Sequence, residues 1–458
     1  MHRYLKLNET EESRKMKKAL LILLAVCTVL MCSCSGVGTD ISDSLTPPKP
    51  SGELYDIQKA LEAYAGSKVH LVYPSSGAYR SAIITKDINS DGEYEVFAFY
   101  STKTDDNTTV MHLNYIMHSG GKWKSVTDIQ VDCSGVESVE FMRLDESATP
   151  KVIVNWNRFS GLNKQLSVYS IDLGVLTEIT SVPVSEYSAC DFEGDGTNDL
   201  LGIYLDAEKK SAQATLWELD GGSLNVKSTC RIDGTVTSYY SPSISKLPDG
   251  TPAMFIDADK ATGIITEVLY VRGGALISAF SSPDTGENTR TLRVSEVRAD
   301  DFDGDGRIDI PLSVKLPLIP GKTETDSVYM TTWNSFDGNV FTPIKSTVIN
   351  YRDGYQMVIP EEWKNNFTVD RRTDERQRIM YRWDGENAEL GEEILRIQAV
   401  KVSDWEKKRS SFEEYEEIMR SDEFVYAVKF SNSALTPELA TVKENFSILN
   451  SKLWRGNR

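Results

Sequence analysis

Cysteine is scarce in this chain, with six in 458 residues, and three of those fall within the first 34. The remaining Cys133, Cys190 and Cys230 are odd in number and widely spaced. That excludes the dense disulfide framework of small secreted domains and favours free thiols. Histidine is scarcer, with four in all, and only His70, His112 and His118 lie beyond the N-terminal stretch. No Gly-x-Ser-x-Gly elbow, His-Glu-x-x-His pair, phosphate loop or Gly-x-Gly-x-x-Gly fingerprint occurs. The common signatures of nucleophilic hydrolases, zinc proteases and nucleotide enzymes are therefore missing, and the three histidines read as satisfied strand residues. Positive charge is also in deficit: 50 Lys and Arg face 68 Asp and Glu, a formal charge of −18. Such a chain repels phosphates, which argues against a nucleic-acid partner.

Long apolar runs are absent save one. Residues 19–32, after Arg14-Lys15-Met16-Lys17-Lys18, are uncharged and apolar. They fall short of the roughly twenty residues of a membrane-spanning helix but suit the core of a signal peptide. The run ends in Met31-Cys32-Ser33-Cys34-Ser35-Gly36, which resembles a bacterial lipobox with Cys34 as the lipidated residue. Met16 is an alternative start. Residues 1–34 are thus expected to be a lipoprotein signal and 35–52, rich in Ser, Gly, Thr and Pro, a solvated tether. Removing the leader, with its six basic and three acidic residues, takes the charge to −21. Residues 53–68 form a lead-in, where Leu54, Ile57, Leu61 and Tyr64 sit at helical spacing.

What the chain has in plenty is carboxylates, and they are placed periodically. Three loops read Asp87-Ile88-Asn89-Ser90-Asp91-Gly92-Glu93-Tyr94-Glu95, Asp191-Phe192-Glu193-Gly194-Asp195-Gly196-Thr197-Asn198-Asp199 and Asp301-Phe302-Asp303-Gly304-Asp305-Gly306-Arg307-Ile308-Asp309. Oxygen side chains recur at positions 1, 3, 5 and 9 with Gly at 6, a spacing that wraps a hard cation such as Ca2+. Position 12 is Ala98, Gly202 or Leu312 rather than acidic, so an EF-hand is excluded. Each loop instead feeds an apolar, β-prone run. Two worn copies, 143–151 and 245–253, have lost most of their acids and are expected to hold no metal. The five starts are 56, 48, 54 and 56 residues apart.

A second landmark keeps step. An aromatic strand runs into a glycine turn from Tyr115 to Gly120-Gly121, Tyr169 to Gly174, Trp217 to Gly221-Gly222, Tyr270 to Gly273-Gly274 and Trp333 to Gly338. Glycine supplies the positive φ of tight hairpins. Units of about fifty residues with four short strands match β-propeller blades. The expectation is a mainly β chain with a propeller over 69–350. Five blades are favoured, six or seven being compatible with the spacing, and residues 69–85 would close the ring.

These loops resemble FG-GAP/VCBS-type repeats, found in integrin α-chain propellers and many bacterial surface proteins. The resemblance covers about 280 residues, without the Phe-Gly and Gly-Ala-Pro signatures. It implies calcium ligands at Asp87, Asn89, Asp91 and Glu95, at Asp191, Glu193, Asp195 and Asp199, and at Asp301, Asp303, Asp305 and Asp309. Carbonyls of Glu93, Thr197 and Arg307 would complete up to three structural Ca2+ sites.

Repetition stops near 350. Over 351–458, strands around Ile359-Pro360-Glu361-Glu362-Trp363, 367–369, 379–383 and 394–400 precede an amphipathic helical pattern across 403–421. A strand at 424–430 and a last helix at 437–447 follow. This small α/β order resembles the PsbP-like family and implies docking without catalytic residues. The whole points to an extracytoplasmic, lipid-anchored binding or adhesion module, not an enzyme, whose partner is a glycan, peptide or envelope protein. Tyr239, Tyr240 and Trp156 are candidates for a recognition face. The alternatives are a polysaccharide hydrolase or lyase using paired carboxylates, and a structural subunit of an envelope complex.

Overall fold

The computed structural model describes residues 52–449, apart from 67, 68, 148, 160, 162 and 295. The leader, Cys34 and all of the tether up to residue 51 lie outside the described residues. The chain divides into two compact units, 1–58 and 59–458. A helix spans Glu53–Ala65; Ile57 and Leu61 are buried, whereas Leu54 and Tyr64 face solvent. No helix among the described residues is long and apolar enough to cross a membrane.

The second unit is mainly β: six antiparallel sheets that largely follow one another in chain order. The first pairs Glu95–Lys103, Thr109–Ser119 and Lys122–Val131, with Ile83–Lys86 and His70–Leu71 both on Glu95–Lys103. The second runs Gly135–Met142, Lys151–Asn157, Lys164–Asp172, Val175–Val184. The third runs Glu186–Cys190, Asp199–Asp206, Ser211–Asp220, Ser223–Ile232. In the fourth, Ser238–Tyr239 and Ser243–Lys246 share Pro252–Lys260, followed by Gly263–Arg272 and Ala275–Ser278. The fifth holds Ile310–Lys315, Tyr329–Phe336 and Phe341–Asn350.

Each repeat obeys the same local rules. In the first four sheets the nonapeptide loop joins the first to the second strand position and the glycine turn the third to the fourth; in the fifth, loop 301–309 leads into Ile310–Lys315, and the position ahead of the loop is reduced to the isolated Asp300–Asp309 bridge. Alternating strand direction then brings loop and turn to the same end of the sheet. In four of the five turns both central residues have positive φ, as at Gly120 (60°) and Gly121 (75°), which matches the twist of the flanking strands. In the second sheet Leu173 takes φ 51° in place of a glycine. A bulge falls beside the repeat aromatic at Tyr115/Ile116, Val168/Tyr169, Leu216/Trp217 and Trp333/Asn334. Those aromatics are buried, so the bulge re-aims the strand where the ring enters the core.

Successive sheets pack face to face. One core joins Phe97, Phe99 and Tyr115 to Val152, Val154 and Trp156. A second joins Ile153 and Leu166 to Leu200 and Trp217, a third Leu201 and Leu216 to Met254 and Leu269, and a fourth Phe255 and Tyr270 to Ile310 and Phe336. Trp156 and Tyr239, considered for a recognition face, are core residues, 0% and 8% exposed; only Tyr240 remains partly accessible.

Three expectations are corrected. Residues 69–85 do not close a ring: their strands pair within the first sheet, and Ser75 and Ser76 donate N–H groups to the carbonyls of Val136 and Glu137 in the second. Among the described residues no strand pair links the first sheet to the fifth. The helix expected across 403–421 ends early. Val402–Lys407 is helical, but Glu416–Arg420 is a strand paired with Phe424–Phe430, which draws Ile418 into the sheet core. Finally, the fifth sheet runs on past 350, adding Tyr355–Val358 and then Phe446–Ile448 from the end of the described chain. The sixth sheet orders Phe367–Arg372, Gln377–Asp384, Glu389–Lys401, Phe424–Phe430, Glu416–Arg420. Met330 and Val348 of the fifth sheet share one core with Met357, Trp363, Ile397 and Phe446.

That shared core generates a test. Met357 is 1% exposed and pairs with both Val348 and Phe446. Met357→Ala is expected to cost about 2–5 kcal/mol, as buried Met truncations do. In native-state hydrogen exchange the loss should appear equally in Phe341–Asn350 and Phe424–Phe430. Loss confined to one of those strands would mean the two sheets open independently.

Candidate functional site

The three acidic loops share one hydrogen-bond scheme. The position-9 carboxylate accepts the position-2 N–H: Ile88 to Glu95 at 3.0 Å, Phe192 to Asp199 at 3.2 Å, Phe302 to Asp309 at 3.0 Å. The position-1 carboxylate accepts the glycine N–H at position 6: Gly92 to Asp87, Gly196 to Asp191, Gly306 to Asp301. The position-5 carboxylate accepts the position-7 N–H: Glu93 to Asp91, Thr197 to Asp195, Arg307 to Asp305, each 2.8 Å. Position 2 packs beneath the loop, with Ile88 and Phe192 buried and Phe302 stacked on Trp333 at 4.5 Å.

This geometry sets the electrostatics. Glu95, Asp199 and Asp309 are 3%, 3% and 1% exposed. Burial pushes all three carboxyls up, helped by the loop's other carboxylates: Asp199 to about 7 and Asp309 to about 6. A buried carboxylate ringed by like charge calls for a cation.

The loops differ in how far the chain itself supplies one. In 301–309, oxygens of Asp301, Asp303 and Asp309 lie within 4.8 Å of one another, while Asp305 turns outward toward Arg307 at 3.5 Å. These hard oxygens fit a divalent ion such as Ca2+. In 87–95 the Asn89 amide donates to Asp91 and Glu95, and His118 lies 3.5 Å from Glu93. In 191–199 the Lys227 ammonium pairs with Glu193 and, at 3.0 Å, with Glu218. Among the described residues, neither of these two loops brings three carboxylates as close as 301–309 does. The worn loops answer their own charge. Lys151, at position 9 of 143–151, reaches Asp145 at 2.9 Å, and Arg272 reaches Asp249 of 245–253 at 3.1 Å.

The loop 301–309 adjoins a polar cleft of about 360 Å³ lined by Glu186, Tyr240, Asp257, Arg298 and Asp300. Its walls come from the leading strands of the third and fourth sheets and from residues 298–300 and 308, ahead of the fifth sheet's strands. Backbone bonds between Asp300 and Asp309 tie its wall to the loop. The Arg298 guanidinium lies 3.6 Å from the Tyr240 ring centre, and Tyr240 donates to Asp259 at 2.8 Å. Beneath the cleft Asp257 is locked by Arg293 (2.8 Å), Thr266 and the Ala299 N–H. Glu186 pairs with Lys164 at 2.8 Å, yet burial still raises its pKa.

One constellation escaped the sequence pattern. His112 sits between Asp128 at Nδ1 and Thr102 at Nε2, each 2.8 Å away, and stacks on Tyr100. The order mimics a catalytic triad, but the hydroxyl is a strand threonine and the ring is 5% exposed. Burial would raise the Asp128 pKa, but bonds from His112, Asn114 and Tyr100 outweigh it and hold the carboxylate low. Both ring nitrogens are satisfied, as expected of a structural histidine.

The chain matches no protein-family model and no curated protein. Solved structures to which it is similar include the rhamnogalacturonan lyase YesW (11% identity, TM-score 0.30, 70% of this chain and 83% of that one). Others are a rhamnogalacturonan lyase of Bacillus licheniformis (10%, 0.29, 70% and 90%) and the periplasmic gluconolactonase of Pseudomonas aeruginosa (9%, 0.26, 70% and 86%). Scores this low carry no argument about activity.

Behind the cleft, Glu267 is fully buried and accepts the Asp233 N–H at 3.2 Å. Burial, with the Asp233 charge, raises its pKa to about 7. An acid with a raised folded pKa favours folding below its unfolded value, near pH 4.5 here, and that contribution is lost as pH rises through 7. Glu267→Gln keeps an acceptor and removes the charge. It is expected to melt higher than the parent at pH 8 and to converge with it near pH 5. A difference independent of pH would show that Glu267 is not the titrating group.

Proposed function

We propose that this protein is a non-catalytic binding module, held outside the cytoplasm by lipid on Cys34 and stabilised by Ca2+ in its acidic loops. Its five repeat sheets would serve as propeller-type blades, and the cleft beside 301–309 would take a polar ligand, a glycan before a peptide. The observation that carries the reading is the convergence of Asp301, Asp303 and Asp309 on one point, bonded through Asp300 to the cleft wall. A ring such as Tyr240 beside carboxylates and an arginine suits hydroxyl-rich ligands, offering an apolar face and charged acceptors together. Calcium would tie the loop and so hold the cleft in shape; the chain's own residues do the binding.

A second reading, a polysaccharide hydrolase or lyase, draws support from Glu186, whose raised pKa is what a general acid requires. Its ion pair with Lys164 favours binding over proton transfer. Incubation with polysaccharides separates the two: retention without cleavage supports the first, and release of fragments the second.

Two tests address the metal. An ion binding only the folded state adds about 2.7 kcal/mol per site at a hundredfold excess over Kd. Chelation should therefore lower the melting temperature by several degrees, and Asp309→Asn should remove one site from a calcium titration. An unchanged melting curve would refute structural calcium. Lys227→Met should strengthen binding at 191–199 several-fold by releasing Glu193; unaltered affinity there would mean the ammonium does not compete.

A further inference from the structure

A second cavity, of about 390 Å³, lies between the fifth and sixth sheets and is unlike the rest of this acidic molecule. Three guanidiniums line it: Arg352 at the end of the fifth sheet's repeat strands, and Arg371 and Arg378 on the first hairpin of the sixth. Among the described residues none of the three has a carboxylate within salt-bridge distance. The nearby acids are committed elsewhere. Asp353 pairs with Arg376 at 2.8 Å, and Asp370 with Lys322 and Arg372, each at 3.1 Å.

The three arginines are held in place by neutral groups. Arg352 donates to the Thr373 carbonyl at 2.7 Å and Arg371 to that of Thr325 at 2.6 Å. Arg378, only 6% exposed, donates to the Gln377 carbonyl and to Asn350 Oδ1. The buried Nε of Arg371 has no hydrogen-bond partner. Burial works most strongly against the charge on Arg378 and outweighs the support of Tyr355 and Asp353, while the Arg371 and Arg352 guanidiniums add to the opposition. A buried cation without a counter-ion is expensive, and an anion entering the cavity offsets that cost. Ile349 and Val328 give the cavity apolar wall, and Tyr329 and Ser327 give it hydroxyls.

We propose that this cavity is an anion site that takes a small molecule through its carboxylate, sulfate or phosphate group, with Arg352, Arg371 and Arg378 as the recognising fork. Guanidiniums match such oxyanions with paired, charge-assisted hydrogen bonds. The net negative charge of the chain does not forbid this, because screening confines distant charges to about 8 Å at physiological salt. The site stands independently of the calcium loops.

Calorimetric titration of the full chain with sodium sulfate, sodium galacturonate and neutral galactose tests it. Saturable binding of sulfate or galacturonate, and none of galactose, is expected. Tighter binding of galacturonate assigns an organic acid, and sulfate alone an inorganic anion. Arg378 is buried, so the variants are placed at Arg352 and Arg371, which reach solvent and whose folding is checked by circular dichroism. Arg371→Gln and Arg352→Gln should each weaken binding about tenfold or more. No saturable binding of either anion up to about 10 mM, or binding in both variants as tight as in the parent, overturns the proposal.

Discussion

The acceptance of a buried backbone N–H by a buried carboxylate, position 2 to position 9 of each acidic loop, is the constraint on which the repeats depend. It closes the loop over an apolar residue, so that Ile88, Phe192 and Phe302 anchor the turn to the sheet below. It also places a carboxylate at the head of the central strand, where burial disfavours its charge. The hydrogen bond and the desolvation penalty thus arise from one placement. The chain resolves the conflict in different ways: the worn loops bring in a lysine or an arginine, 191–199 brings in Lys227, 87–95 uses the Asn89 amide, and 301–309 leaves carboxylate oxygens facing one another.

Full and worn loops alternate along the chain, and the alternation has a second consequence between sheets. At position 8 the full loops carry a free N–H. Asn198 donates to the Arg143 carbonyl and Ile308 to Ser245 Oγ, in each case to position 1 of the worn loop in the preceding sheet. The worn loops carry Pro150 and Pro252 at position 8, which have no N–H to give. The second sheet is therefore stitched to the third and the fourth to the fifth, a loop-to-loop bond that the remaining sheet contacts lack among the described residues. Loss of acids and gain of proline belong to one change of role.

What was legible in the sequence was local. Loop anatomy, glycine turns and strand content follow from residues within about ten positions of one another, and period and φ preference record them faithfully. The parts decided by distant partners were not legible. Residues 403–421 carry a helical pattern, yet Ile418 packs into a core built with Met330, Val348 and Met357, far away in the sequence, and its segment joins Phe424–Phe430 as a strand. Residues 70–86 pair with the strand that follows them instead of closing a ring, because Glu95–Lys103 presents two partial edges. The same holds for sites. Loop ligands fall within nine consecutive residues and announce themselves, whereas Arg352, Arg371 and Arg378 look like unrelated charges until the hairpin folds. His112 and Asp128, sixteen residues apart, meet only because their strands are antiparallel neighbours.

The fifth sheet ties these features together. Its leading loop offers converging carboxylates to a cation, and the bridge from Asp309 to Asp300 passes that loop's geometry to the acidic cleft. On its other flank, Val348 and Met330 enter the core shared with the sixth sheet, beside the three guanidiniums. One sheet therefore lies between the candidate cation loop and the proposed anion cavity. Extending the sheet beyond residue 350 is what provides that separation, since Tyr355–Val358 and Phe446–Ile448 dock the arginine-bearing hairpin on the far side. The C-terminal segment thus extends the sheet and core of the last repeat and does not stand apart from it.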